Sequence, residues 1–510
     1  MKGRLPVAVL SLSLLLACRG TPAPSLPSKP ASESPDRLVA LQQRVAELLA
    51  DPDVSAGTWG VDVRSLQAHD TLIATNAHRL LMPASTMKTI TLAAACDQLG
   101  WDFSYETRVV PRGSIADGVL DGDLVIVGSG DPSLDDWDGG ATTVFRSWAA
   151  RLRELGVHAI TGRIVGDDRV FSDDGLGSGW MWDDLAFSYS APASGLQFNE
   201  GAAQVIVTPG AAIGDVAMLS IAPSYAGVAP RGTVRTVQAG GGASISMQQS
   251  ARSSAIGFTG TIALDAGRQV RTIAVQNPTQ YFVSAVREAL IANGIDVRGP
   301  AVDVDDLAES VSPAGAEAML THRSPALSSL ADTLMKLSQN MYAETLLRTM
   351  GKQRSGAGTA DAGRAVVRDV LASWGVRPSE VLMADGSGLS RYNLVTADAM
   401  VTVLAHVYDD VRLRQPYLDT LPIAGRAGTL SARMKGTAAD GNVHAKTGSF
   451  TNARAVAGFV RTADGEPLAF SIIANNYGAP PDTIDRVTDA VIVSLAEFRR
   501  GAPSALITEP

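Results

Sequence analysis

Ser85-Thr86-Met87-Lys88 is a place in the 510-residue sequence where residue types and spacing suggest a reaction. On a helix, residues three apart share a face, so the Ser85 hydroxyl and the Lys88 amine can meet. A serine in the first helical turn sits where free backbone N–H groups and the helix dipole favour developing negative charge. A lysine withdrawn from water near other cations binds its proton weakly and can accept one from a serine. Arginine cannot do this. Only seven of the 43 basic residues are lysines (Lys2, Lys29, Lys88, Lys336, Lys352, Lys435 and Lys446), so arginine is the default cation and a lysine can mark a need for an amine. Alone, Ser-x-x-Lys is usually solvated helix surface.

Two further constellations follow. Ser338-Gln339-Asn340 puts a hydroxyl two residues from an amide, which suits a proton relay beside a ligand for a substrate carbonyl. Lys446-Thr447-Gly448-Ser449 falls on an expected strand. It offers a cation for a carboxylate, a hydroxyl next to it, and a glycine that lets another backbone approach closely. Each is common by itself, as a polar loop, a helix cap or a strand edge.

Hydropathy patterning places these groups on elements. Residues 36–50 carry apolar positions at helical spacing (Leu38, Leu41, Val45, Leu48, Leu49), and residues 58–63 and 71–75 read as a hairpin. A helix opens at Met82-Pro83-Ala84-Ser85 and runs towards Leu99, with Pro83 suited to a helix start and Gly100 to a stop. From about residue 108 to 275 short β-rich runs (124–127, 203–207, 260–264) alternate with glycines, and helical texture is sparse. It returns at residues 281–293 and dominates from Ala326 onward. Strands are expected again at residues 443–450, 453–460 and 468–474, the last two around the hairpin signal Asp464-Gly465. A final amphipathic helix fits residues 482–498.

Composition bounds the rest. With 45% hydrophobic and 19% charged residues the chain can bury a large core, and its length suits two or three domains. A net charge of −9 with no lysine- or arginine-rich run argues against nucleic acid as a partner. The six histidines (His69, His78, His158, His322, His406, His444) show no ligand spacing, so no metal is implied. The start reads as a secretory signal, with Lys2 and Arg4 followed by an apolar run from Val7 to Ala17 that is too short to span a bilayer. Its end, Leu15-Leu16-Ala17-Cys18, resembles the lipobox of bacterial lipoproteins, apart from Leu16 where a small residue is usual. That resemblance implies a lipidated Cys18, followed by a proline- and serine-rich tether over residues 19–36. Cys96 is then a lone thiol, and no disulfide is expected.

In order along the chain, Ser-x-x-Lys, Ser-x-Asn and Lys-Thr-Gly resemble the signature of penicillin-binding proteins and serine β-lactamases. Ser338 follows Lys88 by 250 positions, far more than in a plain β-lactamase. Gly122-Asp-Leu, Gly130-Asp-Pro132, Gly166-Asp167-Asp168, residues 180–195, Asp385-Gly-Ser-Gly-Leu-Ser-Arg391, Leu421-Pro422-Ile-Ala-Gly425 and Gly428-Thr-Leu430 resemble the low-molecular-mass class C penicillin-binding proteins, peptidase family S13. One departure is Gln339, where many relatives carry aspartate.

The resemblance implies an α/β (α+β) fold: a β-lactamase/transpeptidase-like antiparallel sheet flanked by helices, with a large β-rich insertion. The implied division is signal 1–18, tether 19–36, catalytic domain 37–107 and 276–500, insertion 108–275, and tail 501–510. The implied activity is that of a serine D-Ala-D-Ala carboxypeptidase or endopeptidase acting on peptidoglycan stem peptides. Ser85 would attack the carbonyl between two D-alanines and Lys88 would take its proton. Ser338 and Lys446 would pass a proton to the leaving amine, Asn340 would hold the substrate amide, and Lys446 with Thr447 would bind the terminal carboxylate beside Gly448. Backbone N–H groups of Ser85 and Ser449 would form the oxyanion hole. Asp184, Tyr189 and Arg391 would grip the zwitterionic end of the stem. β-Lactams would be covalent inhibitors, no cofactor is needed, and the enzyme would sit in the cell envelope, in the periplasm or on the outer face of the membrane, held by lipid alone. The rival expectations are a serine β-lactamase and a non-catalytic scaffold of the same fold; a Ser-His-Asp esterase lacks its Gly-x-Ser-x-Gly elbow here.

Overall fold

The computed structural model describes residues 34–136, 139–172, 175–249, 255–309 and 317–500. The signal, Cys18, tether positions 19–33 and the tail 501–510 lie outside the described residues. The first helix runs Ser34–Leu49, so the last three positions of the expected tether are already helical.

The Lys446-Thr447-Gly448-Ser449 motif lies on the edge of a five-stranded sheet whose order is His444–Phe450, Ala453–Arg461, Pro467–Asn475, Thr58–Ser65, Thr71–Thr75. All its neighbours pair antiparallel. The two ends of the chain meet in its middle, where Thr58 pairs with Asn475 and Ser65 with Leu468. Alternation explains why its central strands are apolar throughout. In Pro467–Asn475, Leu468, Phe470, Ile472 and Ala474 enter one core, and Ala469 and Ile473 enter the other. A sheet covered on both faces needs this pattern. The terminal helices Ser34–Leu49 and Pro481–Glu497 close one face through Leu41, Val45, Ile484, Val491 and Leu495. The helices Met87–Leu99, Leu327–Lys336, Asn340–Ser355, Ala360–Ser373 and Ala397–Asp409 close the other.

Met87–Leu99 is the central helix: every residue from Met87 to Cys96 is buried. A helix buried on all sides needs no amphipathic stripe. A 3₁₀ turn at Ala84–Thr86 precedes it, and Gly100 at φ 78° ends it.

The insertion leaves this domain after the helix and forms its own core. Its largest sheet has seven strands: Glu106–Ala116, Val119–Val127, Ala159–Ile160, Ile164–Asp167, Asp296–Val297, Ala301–Asp303 and Leu320–Arg323. Two three-stranded sheets accompany it, one built on Ala202–Thr208 and one on Ile256–Ala263. The insertion therefore does not end near residue 275, as the sequence texture suggested. The helix Pro278–Ala292 lies on the insertion, and Ala301–Asp303 runs parallel to Ile164–Asp167. The physical reason is that periodicity reveals an apolar face without revealing which core receives it. The span 108–275 also holds the helix Gly140–Glu154, where helical texture looks sparse, and Phe145, Trp148, Ala149 and Leu152 form its buried face.

Phe145, Trp148 and Phe282 join these two helices, with the Phe145 and Phe282 rings edge-on at 5.6 Å. Phe282 is 1% exposed. Phe282→Ala should cost about 3–5 kcal/mol of stability, as deletions of buried aromatics do. Urea unfolding measures it, and a loss below about 1 kcal/mol would contradict this packing.

Candidate active site

Ser85 sits half-buried in the 3₁₀ turn that feeds the central helix. One turn on, Lys88 is fully buried, and its amine is met by three oxygens from three parts of the chain. They are Ser85 Oγ at 2.9 Å, Asn340 Oδ1 at 2.6 Å and the Ser387 carbonyl at 2.7 Å. Burial disfavours the ammonium and pulls the Lys88 pKa down to about 7, although the nearby Asp385 and Glu344 carboxylates oppose the shift. The amine is thus poised to exchange a proton with Ser85 near neutrality.

The second motif occupies the loop between the helices Leu327–Lys336 and Asn340–Ser355. Ser338 takes a left-handed φ of 62°, and Asn340 begins the next helix. The third lies on the edge strand His444–Phe450. Lys446, also fully buried, donates to Ser338 Oγ at 2.8 Å and to the Thr447 carbonyl at 2.7 Å. Burial, then the neighbouring Lys88, holds its proton affinity well below that of an ordinary lysine. Thr447 Oγ1 lies 2.6 Å from Thr429 Oγ1. Gly448 explains how close strand and turn can come. A Cβ there would lie 2.5 Å from the Pro83 carbonyl oxygen and 2.9 Å from the Ser85 nitrogen. No side chain fits.

A cleft of about 340 Å³ opens over this group, lined among others by Ser85, Ser338, Asn340, Gly388, Ser449 and Phe450. Its far wall comes from the insertion. Asp184 and Tyr189 line it together with Arg391, and the three are paired with each other: Tyr189 OH to Asp184 Oδ1 at 2.9 Å and Arg391 Nη1 to Asp184 Oδ2 at 3.3 Å. The Arg391 guanidinium also lies 4.9 Å over the Phe450 ring. Asn340 Nδ2 donates to the Tyr189 carbonyl at 2.7 Å, so the insertion fixes the orientation of that amide. The residues singled out from the sequence thus gather at one cleft, with Lys446 buried behind Ser338 and Thr447 at the side.

Several groups escaped the sequence reading. The carbonyl of Ser387 holds Lys88. Behind it stand buried Glu344, Arg348 and Asp385. Trp180 of the insertion donates its indole N–H to Asp385 Oδ2 at 2.8 Å. The i,i+4 spacing of Asn340, Glu344 and Arg348 was the available signal, and it looks the same on an exposed helix. Spacing along the chain also hid the grouping of His78, Glu380 and Asp398, whose carboxylates are ion-paired by Arg377 and Arg64. No histidine lines the cleft among the described residues.

Residues 41–496 match the D-Ala-D-Ala carboxypeptidase 3 (S13) family. A D-alanyl-D-alanine carboxypeptidase of Actinomadura sp. (strain R39) is 34% identical over 484 residues, 92% of this chain and 86% of that protein. The D-alanyl-D-alanine carboxypeptidase DacB of Haemophilus influenzae is 28% identical over 409 residues, 79% of this chain and 82% of its own. Among solved structures, penicillin binding protein 4 (dacB) from Haemophilus influenzae superposes with a TM-score of 0.79 at 26% identity, covering 89% of this chain and 99% of that one.

The burial of Lys88 has a consequence for stability. Its pKa is about 7 in the folded chain and about 10.4 in an unfolded one, so between these values the unfolded state holds the extra proton. Unfolding then takes up a proton, and stability rises with pH across that window. From pH 7 to about pH 8.5 Lys88 should add about 1.6 kcal/mol. Urea unfolding of the wild type and of Lys88→Met should therefore show a steeper rise in the wild type. Equal slopes would mean that the amine keeps an ordinary proton affinity.

Proposed function

The chain belongs to the D-Ala-D-Ala carboxypeptidase 3 (S13) family, and from that premise we propose that Ser85 is acylated by the penultimate D-alanine of a peptidoglycan stem peptide. The family makes it a hydrolase of penicillin-binding character. What carries the finer reading is the contact of the fully buried Lys88 amine with Ser85 Oγ at 2.9 Å. Neutral Lys88 takes the serine proton as Oγ bonds to the substrate carbonyl carbon. The carbonyl oxygen becomes an oxyanion facing the backbone N–H groups of Ser85 and Ser449, where fixed donors are worth most. As the peptide bond breaks, Lys88 gives up the proton it took from Ser85, and the leaving D-alanine amine receives one through Ser338 and Lys446, which are 2.8 Å apart. Lys88 is then neutral again for the water step. Thr447 and Lys446 hold the terminal carboxylate, and Asn340 holds the substrate amide. Water then attacks the ester carbonyl, giving a proton back through Lys88 and freeing Ser85.

The same steps cleave a terminal D-alanine or a cross-link that follows D-alanine. The wall formed by Asp184, Tyr189 and Arg391 offers an anion and a cation together, which suits a zwitterionic stem residue. A β-lactam mimics the substrate carbonyl and would leave a long-lived ester on Ser85.

Ser85→Ala should abolish covalent labelling by a fluorescent penicillin and release of D-alanine from a D-Ala-D-Ala peptide. The melting temperature should barely move, since one half-buried oxygen is lost. Labelling that persists in this variant would mean another nucleophile; rapid penicillin turnover without D-alanine release would make the protein a β-lactamase.

No helix among the described residues is long and apolar enough to cross a membrane. The sequence Leu15-Leu16-Ala17-Cys18 supports lipidation at Cys18 and a place in the cell envelope. Cells fed labelled palmitate should yield a labelled mature protein that starts at Cys18. An unlabelled mature form with another first residue would rule the anchor out.

A further inference from the structure

We propose that Glu344 and Asp385 are positioning residues for Lys88: they clamp the turn 385–388 so that its Ser387 carbonyl holds the amine against Ser85, and they supply the counter-charge for its protonated form. The inference rests on the Ser85–Lys88 reading above. It assigns two carboxylates that touch neither substrate nor nucleophile.

The clamp is visible bond by bond. Glu344 Oε1 accepts from the N–H groups of Gly386 at 2.9 Å and Ser387 at 2.8 Å. Its other oxygen receives Arg348 Nη1 at 3.2 Å, and both side chains are fully buried. Asp385, also fully buried, accepts four hydrogen bonds. Gly388 N at 2.8 Å and Asn393 Nδ2 at 2.6 Å meet Oδ1; Ser390 N at 2.6 Å and Trp180 Nε1 at 2.8 Å meet Oδ2. The opposite side of the turn faces the central helix, where Thr91 Oγ1 donates to the Gly386 carbonyl at 2.7 Å and Lys88 to that of Ser387. Gly388, at φ 84°, lies against the nucleophile turn itself: a Cβ there would come within 1.9 Å of the Ala84 carbonyl oxygen.

A buried ion pair such as Glu344–Arg348 rarely adds net stability over apolar packing. Its place here is one turn beyond Asn340, with the carboxylate aimed at the N–H groups of Gly386 and Ser387, just ahead of the Ser387 carbonyl, while Asp385 takes the N–H of Gly388 just after it. The charges around Lys88 are Glu344 and Arg348 on the helix Asn340–Ser355, Asp385 on the turn and Lys446 on the edge strand. Glu344, Asp385, Arg348 and protonated Lys88 sum to zero, and burial with protonated Lys88 lowers the proton affinity of Lys446 on the other side. Burial drags the amine's proton affinity down, and the two carboxylates stop the fall. A base is most useful when its pKa lies near the working pH. An amine without this counter-charge would be free at lower pH but a weaker acceptor for the serine proton.

The experiment compares the full-length wild type with Glu344→Gln. The acylation rate by fluorescent penicillin is measured from pH 5 to 9, and the ¹⁵Nζ resonance of Lys88 is titrated in parallel, since seven lysines give a sparse spectrum. The acidic limb should rise through about pH 7 in the wild type. In Glu344→Gln it should move down by about one pH unit or more, with a lower plateau, and the Nζ midpoint should move with it. A lower rate at every pH with both midpoints unmoved would overturn the proposal, because a merely structural residue behaves that way. Should Glu344→Gln not fold, Trp180→Phe removes one donor from Asp385 at a half-buried position. Its Lys88 midpoint should move upward, and an unchanged midpoint would overturn the proposal as well. A wild type that penicillin does not label would refute the nucleophile assignment instead, while the Nζ titration would still test the carboxylates.

Discussion

A lysine amine held out of water, next to a serine, is the constraint around which the rest of the structure is arranged. Taking an ammonium from water into protein is costly, and the cost appears as a lowered proton affinity unless partners compensate. Lys88 is compensated only in part. Its three oxygen partners satisfy its hydrogen bonds, and two carboxylates a little further away limit the loss of its proton. The balance leaves the amine near neutrality. A fully solvated lysine would stay protonated, and a fully uncompensated one would be too weak a base.

That balance explains features that otherwise look unrelated. The central helix is buried on every side because its first turn must carry Lys88 into the interior. The edge strand must come close enough to place Lys446 behind Ser338 and Ser449 beside Ser85, which leaves no room for a side chain at Gly448. The turn 385–388 must present a carbonyl inwards, which explains why buried acceptors gather its N–H groups from behind.

The insertion takes part in the same arrangement. It reaches the catalytic domain through Trp180 to Asp385, Tyr189 to Asn340 and Asp184 to Arg391. Two of these contacts end on groups that orient Lys88 or its partners, and the third forms the cleft wall. The aromatic core around Phe145, Trp148 and Phe282 gives this second unit a packed interior of its own. The wall residues Asp184 and Tyr189 themselves lie between the strands Ile164–Asp167 and Ala202–Thr208, Tyr189 in a 3₁₀ turn. Their bonds to each other, to Arg391 and to Asn340 hold them in place.

Local information was sufficient for groups whose partners lie within a turn or along a strand. Ser85 and Lys88 share a helix face by spacing alone, Gly448 announces a close approach, and apolar runs around the Asp464-Gly465 hairpin signal marked strands of the five-stranded sheet. The order of the three motifs and the long interval between them were legible for the same reason, since they are properties of the chain as written. Tertiary structure decided everything that depends on which distant surfaces meet. It assigned the helix Pro278–Ala292 to the insertion's core rather than the catalytic one. It brought Asp385 to Trp180 across 205 positions, and Ser387 to Lys88 across 299. It also turned an i,i+4 Glu344–Arg348 pair, ordinary on a solvated helix, into a buried counter-charge. Desolvation and electrostatic coupling are set by closure of the whole fold, and spacing along the chain carries no record of them.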